Sequence, residues 1–500
     1  MALYFATPFL SHFNHNSQND IKHHLVMVRP RSRITRFCYR KICYFMLQIR
    51  RKYKYHLSIA AGTSRVTRSG LPPFLGPNLH HEFTKLAQIY GPIFKLKLGS
   101  KTHIVISSPG LAEVVARELD DVFANRDPPA AALEISHGGK SIVWANNNAL
   151  WRNMRKVFVY EVLSGKNLEA SHVFRRAEVR KTVRRVYDAM GTEVVLWRVM
   201  FSWSLNVMTS MIWGKSSDGI GVEELREVLS RIVKLLGTAN VSDFFPAMAR
   251  LDLQGVVRDM KRQKTVLGGI FDRIINERMA SKVEETIDQK GRRDFLQTLL
   301  ELKEQNTTSS FTFTQIKTLF MDSIVGATDT TSTTVEWTMA ELLQHPNIMK
   351  AVQNELEEVV GLNNIVEESH IPKLRGYTVP KGSNVYLNVW AIHRNPEYWE
   401  NPLEFTPERF INPDGTTKFD FNGNNLKYFP FGSGRRKCPG IRLGEKMVVY
   451  VLASLLHSFN WSLPDGKELD LSDKFGIDLK KKERLIVIPS QRLADKNLYM

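Results

Sequence analysis

The chain is 500 residues long, 43% hydrophobic and 24% charged, enough apolar material for a large buried core and unlike a collagenous or wholly disordered chain. Its formal net charge of +18 is concentrated at one end: residues 1–81 hold thirteen Lys or Arg and a single acid, Asp20, so the remaining 419 residues carry only +6. A body this close to balance excludes a protein whose whole surface is built to hold polyanions.

Residues 1–75 read as an atypical basic extension. Its longest uncharged apolar stretches, Met1–Leu10 and Ile42–Ile49, fall short of the roughly 20 residues a spanning helix needs. The charged, apolar and cleavage-site order of a secretory signal is also missing. An Arg-rich, acid-poor segment suits an organelle transit peptide or a stretch lying on an anionic membrane surface. A translated segment foreign to the natural protein is an equal alternative. Nucleic-acid binding is a reading from another class; it rests on this leader alone and would show as strongly salt-dependent association.

Residues 76–500 show no linker rich in Gly, Pro or Ser and no internal repeat, so they are expected to form one domain. Phe83–Tyr90 has helical spacing and is closed by Gly91-Pro92. Ile93–Leu98 and His103–Ser107 flank Gly99-Ser100 as a hairpin. From Pro109 to about Lys350 helical spacing dominates, with loops at Asn125–Pro129 and Ser216–Gly221. Strand-like text returns at Tyr377–Asn388 around Pro380-Lys381-Gly382. A last helix, Gly444–Phe459, is apolar almost all round (Met447, Val448, Val449, Val451, Leu452, Leu455, Leu456), which marks it as buried in protein. The fold class is mostly α with a minor β part.

Of three cysteines, Cys38 and Cys43 lie in the leader and Cys438 stands alone in the body, so no disulfide framework is available. Cys438 belongs to Phe431-Gly432-Ser433-Gly434-Arg435-Arg436-Lys437-Cys438-Pro439-Gly440, directly before the buried helix. Three glycines permit a tight loop and close approach to a flat ligand. The helix N-terminus and the neighbouring cations are expected to favour thiolate over thiol. A thiolate is the haem-iron ligand that promotes cleavage of an O–O bond. Arg436 is the natural partner of a haem propionate, because a planar guanidinium matches a carboxylate.

The pattern Phe-x-x-Gly-x-Arg-x-Cys-x-Gly resembles the signature of the cytochrome P450 superfamily at every fixed position, Phe431, Gly434, Arg436, Cys438 and Gly440. The resemblance implies a haem b cofactor with Cys438 as its metal ligand. Further stretches carry it. Gly326-Ala327-Thr328-Asp329-Thr330-Thr331 is similar to the family's oxygen-binding helix, with Thr330 placed to hydrogen-bond oxygen and Asp329 to deliver protons. Read from the residues, such a hydroxyl run either bends a buried helix and opens room or bonds back to its own carbonyls. The family usually has Gly where Ala327 stands. Trp151 and Arg155, four apart on one helical face, resemble the pair that meets a propionate. Pro407-Glu408-Arg409-Phe410 resembles the family's segment ahead of the cysteine loop, whose Arg belongs to a structural ion network, and Asn125-Arg126-Asp127-Pro128, Val335-Glu336-Trp337 and Lys474-Phe475-Gly476-Ile477 resemble plant microsomal members that hydroxylate terpenoids and other apolar metabolites.

The implied activity is monooxygenation of an apolar small molecule, with electrons from NADPH through a P450 reductase docked near Arg435, Lys437 and Arg442. The implied location is the cytosolic face of the endoplasmic reticulum membrane. Substrate walls are expected at Ala131–Ser141 and near Phe475 and Ile477. One departure bears on all of this. Between Leu374 and Gly376 the text jumps to a later strand, and the segment bearing the family's Glu-x-x-Arg helix is missing, so the fold is expected to be incomplete. Glu223-Glu224-Leu225-Arg226 fits the letters but lies upstream of the oxygen helix. Arg409, the family partner of that motif, should then be exposed or paired with a substitute acid, and residues 371–380 should be strained or loosely packed.

Overall fold

The computed structural model describes residues 68–70, 78–214, 222–280, 294–304, 311–368, 384–412, 418–419 and 421–500. The junction at 374–376, residues 371–380, most of the leader and the loop at 216–221 lie outside the described residues.

Helix α1 (Leu79–Tyr90) starts four residues before the periodic text and buries Phe83 and Leu86; Gly91, at φ +90°, ends it. The hairpin follows as β2 (Ile93–Leu98) and β3 (Lys101–Ile106), paired from Ile93↔Ile106 to Leu98↔Lys101. Its turn requires glycine for a packing reason too: at φ +61°, a Cβ on Gly99 would sit 2.4 Å from the Phe244 carbonyl oxygen. Strand β1 (Arg68–Gly70) lies parallel beside β2, so three residues assigned to the basic extension add a strand to the sheet of the body.

The longer helices that follow are α2 (Ala149–Val157), α3 (His172–Asp188), α4 (Leu196–Trp213), α5 (Val222–Leu236), α6 (Val256–Ala280), α7 (Phe295–Glu304), α8 (Phe313–Gln344) and α9 (Pro346–Val360). Two short strands enclose much of this helical run, β4 (Val194–Val195) before α4 and β5 (Asn384–Leu387) after α9. Strand β5 pairs parallel with β3 and completes the order β1-β2-β3-β5. The buried C-terminal helix is α10 (Ile441–Ser458), three residues earlier at its start than its apolar run suggests. Strand β6 (Phe459–Ser462) leaves it at once; β7 (Asp473–Lys474) and β8 (Lys480–Lys481) form a small hairpin, and β9 (Ile486–Gln491) sits between β4 and β6.

The core is helical. Helix α8 runs against α4, and Trp213, Phe271, Phe295 and Phe320 bring four helices together through edge-on and tilted ring pairs 5.6–6.4 Å apart. A capping box of Thr312 and Gln315 sets the start of α8. The hydroxyl-rich stretch does not interrupt it: Thr328, Thr330, Ser332 and Thr334 donate to the carbonyls four residues earlier, so the helix continues through them. Among the described residues no helix is long and apolar enough to cross a membrane.

Candidate active site

The cysteine loop is built by its own backbone. Gly432 N–H donates to Phe429 (2.9 Å), Lys437 N–H to Gly434 (3.0 Å) and Cys438 N–H to Phe431 (3.0 Å). Gly432 and Gly434, at φ +72° and +70°, supply the left-handed positions this path needs. Gly440, at φ −89°, leads into α10 and needs no such freedom. Phe431 packs over Gly444 in the first turn of α10 and meets Phe421 edge-on at 6.0 Å. The Cys438 side chain is half-buried beside Gly440, at the start of α10.

Its electrostatics differ from the expectation. Burial pushes the thiol up, while the Gly440 N–H and the Arg155 charge pull it down without reversing the direction. The adjacent cations face elsewhere: Arg435 forms an ion pair with Asp120 (2.8 Å), and Arg436 turns inward. A metal ion at the sulfur is the counter-charge that would make the buried thiolate the stable form.

Arg436 belongs to a cationic cluster. Its Nε donates to the Ala124 carbonyl (2.6 Å) and its terminal nitrogens reach toward the Ala145 and Ile142 carbonyls. The guanidinium lies 4.1 Å from the centre of the Trp151 ring, and Arg155 lies 5.6 Å from the same ring. Trp151 is fully buried and spends its indole N–H on the Ile142 carbonyl (2.9 Å). Arg155 donates to the Lys437 carbonyl, which ties α2 to the cysteine loop. Burial first, then the charges of Arg126 and Arg155, lower Arg436 to about 9; burial and Arg126 likewise lower Arg155. Among the described residues none of these three arginines meets a carboxylate. Crowded guanidiniums without an acid beside a cysteine fit a flat dianionic ligand such as haem, whose propionates would neutralise them. The sequence signal for Arg126 as a member of this cluster is only the Asn125-Arg126-Asp127-Pro128 stretch.

The oxygen-helix pair is split. Asp329 is buried, with one oxygen bonded to Lys480 Nζ and the other without a partner among the described residues. Thr330 is exposed and donates its hydroxyl to Gly326 (2.6 Å). Lys480 also approaches Asp478 (3.6 Å), whose other oxygen accepts from Thr333 (3.2 Å). Burial, reinforced by the negative charge of Asp329, raises the Asp478 carboxyl. Neither Lys480 nor Asp478 is legible as a partner of Asp329, because about 150 residues separate hairpin β7–β8 from α8.

Arg409 is neither exposed nor paired with an acid among the described residues. It donates to the main-chain carbonyls of Glu400 (2.7 Å), Asn401 (3.0 Å), Glu404 (3.0 Å) and Thr406 (3.2 Å). The segment before the cysteine loop is braced by its own backbone around one guanidinium.

The cysteine loop and the cationic cluster are thus tied together by Arg155 within a mostly helical fold. The sequence model of the family described as Cytochrome P450 matches residues 67–375 and, in a second piece, 372–488. The chain belongs to the cytochrome P450 family, whose members are haem b monooxygenases supplied with electrons from NAD(P)H by a redox partner. It is 34% identical to cytochrome P450 76T24 of Catharanthus roseus over 454 positions, covering 83% of this chain and 90% of that protein. It is 35% identical to 7-ethoxycoumarin O-deethylase of Helianthus tuberosus (86% and 94% covered) and 32% identical to flavonoid 3',5'-hydroxylase of Campanula medium (88% and 93%). The match to the Catharanthus protein spans 454 positions, whereas 83% of 500 residues is about 415, so about 40 aligned positions have no counterpart here. A zebra fish cytochrome P450 solved with progesterone shares the fold at a TM-score of 0.66 and 24% identity, over 84% of this chain and all of that one.

Proposed function

We propose that this chain is a monooxygenase scaffold for an apolar plant secondary metabolite, terpenoid-like or phenolic, fed by an NADPH-dependent P450 reductase at the endoplasmic reticulum surface. The observation that carries the reading is Cys438 held beside Arg155, which clusters with Arg126 and Arg436: a thiol and a set of acid-free cations matched to one flat, dianionic, metal-bearing ligand. Haem, when bound, supplies the oxygen-activating chemistry. Cys438 would be its ligand; Arg155 and Arg436 would hold its propionates, with Trp151 stiffening both guanidiniums through its ring. Phe431, Gly434 and Gly440 shape the loop against one face. Asp329, paired with Lys480, would help pass protons toward the site, and Thr330 would turn its hydroxyl from Gly326 toward the pocket. Apolar substrate class is supported by the flavonoid and coumarin names of relatives and by exposed Phe475 (39%) and Ile477 (46%) on the hairpin that also carries Lys480. Exposed Arg442 and the Arg435 edge suit a reductase face.

A second reading concerns this form of the chain: it holds haem weakly and turns over little. Its support is the two-piece family match meeting at 372–375, the roughly 40 unmatched positions, and an Arg409 bonded to carbonyls in place of acids. The test is the reduced carbon-monoxide spectrum of the full chain loaded with haem. The unmodified chain is expected to give a weak thiolate band, and insertion of a family-typical segment after Leu374 a strong one that Cys438→Ala abolishes. A full-intensity band without the insert overturns the second reading. A thiolate band that survives Cys438→Ala overturns the first.

A further inference from the structure

The first turn of α1 and the start of β7 bring together three groups that the monooxygenase reading does not use. The Nε2 atoms of His80 and His81 each lie 3.0 Å from the same oxygen, Oδ2 of Asp473. One ligand-type atom from each residue fits within a span of 4.8 Å. Consecutive helical residues normally point about 100° apart, yet these two rings sit with centres 4.1 Å apart, converged on one carboxylate.

The surroundings fix that convergence. Trp390 meets both rings edge-on at 4.8 and 4.9 Å, and Phe475 stacks on His80 at 5.6 Å. Asn78 donates its amide to Oδ1 of Asp473 (3.2 Å) and accepts the Phe475 N–H (3.2 Å), which orients the carboxylate from behind. The side chains of His80 and Asp473 are each only 9% exposed, while His81 is 38% exposed. Burial holds His80 below its ordinary value despite the pull of Asp473.

We infer that His80, His81 and Asp473 form a binding site for a zinc-class divalent ion. Two imidazoles and one carboxylate are the three-ligand set of open tetrahedral zinc sites. Zinc bonds of about 2.0–2.2 Å at a tetrahedral angle place ligand atoms about 3.4 Å apart; the two imidazole–carboxylate separations of 3.0 Å need only a few tenths of an ångström of spreading, and the two ring nitrogens lie within 4.8 Å of each other. The fourth position opens on the His81 side, where a cleft of about 500 Å³ lined by Asn78, His81, Glu82, Thr84, Lys85 and Gln88 admits water or a small anion. Hard ions such as magnesium prefer all-oxygen shells and are poorly served by two imidazoles. Outer support is incomplete, since Nδ1 of His80 is buried without a partner among the described residues. A ligand lacking that support loses about 10–100-fold in affinity, so binding belongs in the micromolar range and not at structural-zinc strength. Bound zinc would clamp α1 to the β7–β8 hairpin and, through Lys480, stiffen the wall beside Asp329.

The experiment titrates zinc chloride into the full chain after removal of metal with a chelator, read by calorimetry, beside His81→Ala and Asp473→Asn. Circular dichroism checks that each variant is folded, with His81→Gln as the substitute if the alanine variant is not. The unmodified chain is expected to bind one zinc equivalent more than either variant, with no competition from excess magnesium. The leader's His12, His15, His23, His24 and His56 and its two cysteines contribute equally to all the proteins compared. Equal stoichiometry and affinity in the unmodified chain and both variants would overturn the site. So would a lack of binding below millimolar zinc, which would leave an imidazole–carboxylate hydrogen-bond cluster.

Discussion

At the scale of single residues, buried polar groups settle how the pieces dock. Asp322 on α8 accepts the Ile142 N–H (2.7 Å), with the Val143 N–H and Ser141 hydroxyl also turned toward it. The same loop presents the Ile142 carbonyl to Trp151 and Arg436. Burial pushes Asp322 up to about 7, against those three donors. An unfolded aspartate loses its proton near pH 4. The folded chain therefore holds a proton that the unfolded chain has released, and stability falls as pH rises from about 4 to about 7. Asp322→Asn keeps an acceptor and removes the titration, so its denaturation midpoint should vary less over that interval. The same pH slope in both proteins would show that Asp322 stays ionised. Arg409 teaches a different lesson. Expected to be exposed or to find a substitute acid, it does neither: four carbonyl bonds satisfy it, because a guanidinium can brace a turn from within.

Between elements, one buried ion pair carries more weight than the surface pairs. Arg175 on α3 sends Nε and Nη2 to the two oxygens of Glu368 and Nη1 to the Ser171 hydroxyl (2.7 Å); the two side chains are 0% and 5% exposed. Lys446 on α10 adds a third contact to Glu368 at 3.5 Å. Burial works against the Glu368 charge, but the Arg175 hydrogen bonds and the neighbouring cations hold its carboxyl below the usual range. Its contribution is therefore present above about pH 4.5 and is lost as pH falls through the lower folded value. Glu368→Ala leaves Arg175 buried without an anion and should cost about 3–5 kcal/mol in urea unfolding at pH 7. Arg175→Met combined with Glu368→Leu should recover much of that loss. A cost below about 1 kcal/mol for the single change would mean that water or another acid reaches the guanidinium.

For the whole molecule, the division between leader and body is testable directly. Thirteen cations against one acid in residues 1–81 cannot be neutralised within the leader, and buried unpaired charge is costly. Removing residues 1–67 while keeping β1 should leave the melting temperature within about 1 °C of the full chain, a change of about 1 kcal/mol or less at this size. A large drop would make the leader part of the fold. What the sequence alone determined was mostly local: the α1 turn, the β2–β3 hairpin, the apolar run of α10, and the Cys438 loop, whose glycine-dependent path is written in ten consecutive residues. Helical spacing and glycine positions survive in one dimension because they depend on neighbours a few residues away. The tertiary structure alone decided the partnerships. It turned Arg435 to Asp120, gathered Arg126, Arg155 and Arg436, set Lys480 on Asp329, closed Arg409 on its own carbonyls, and met His80 and His81 with Asp473. Residues up to nearly 400 positions apart form these contacts, and no periodicity encodes which charge will be desolvated beside which other.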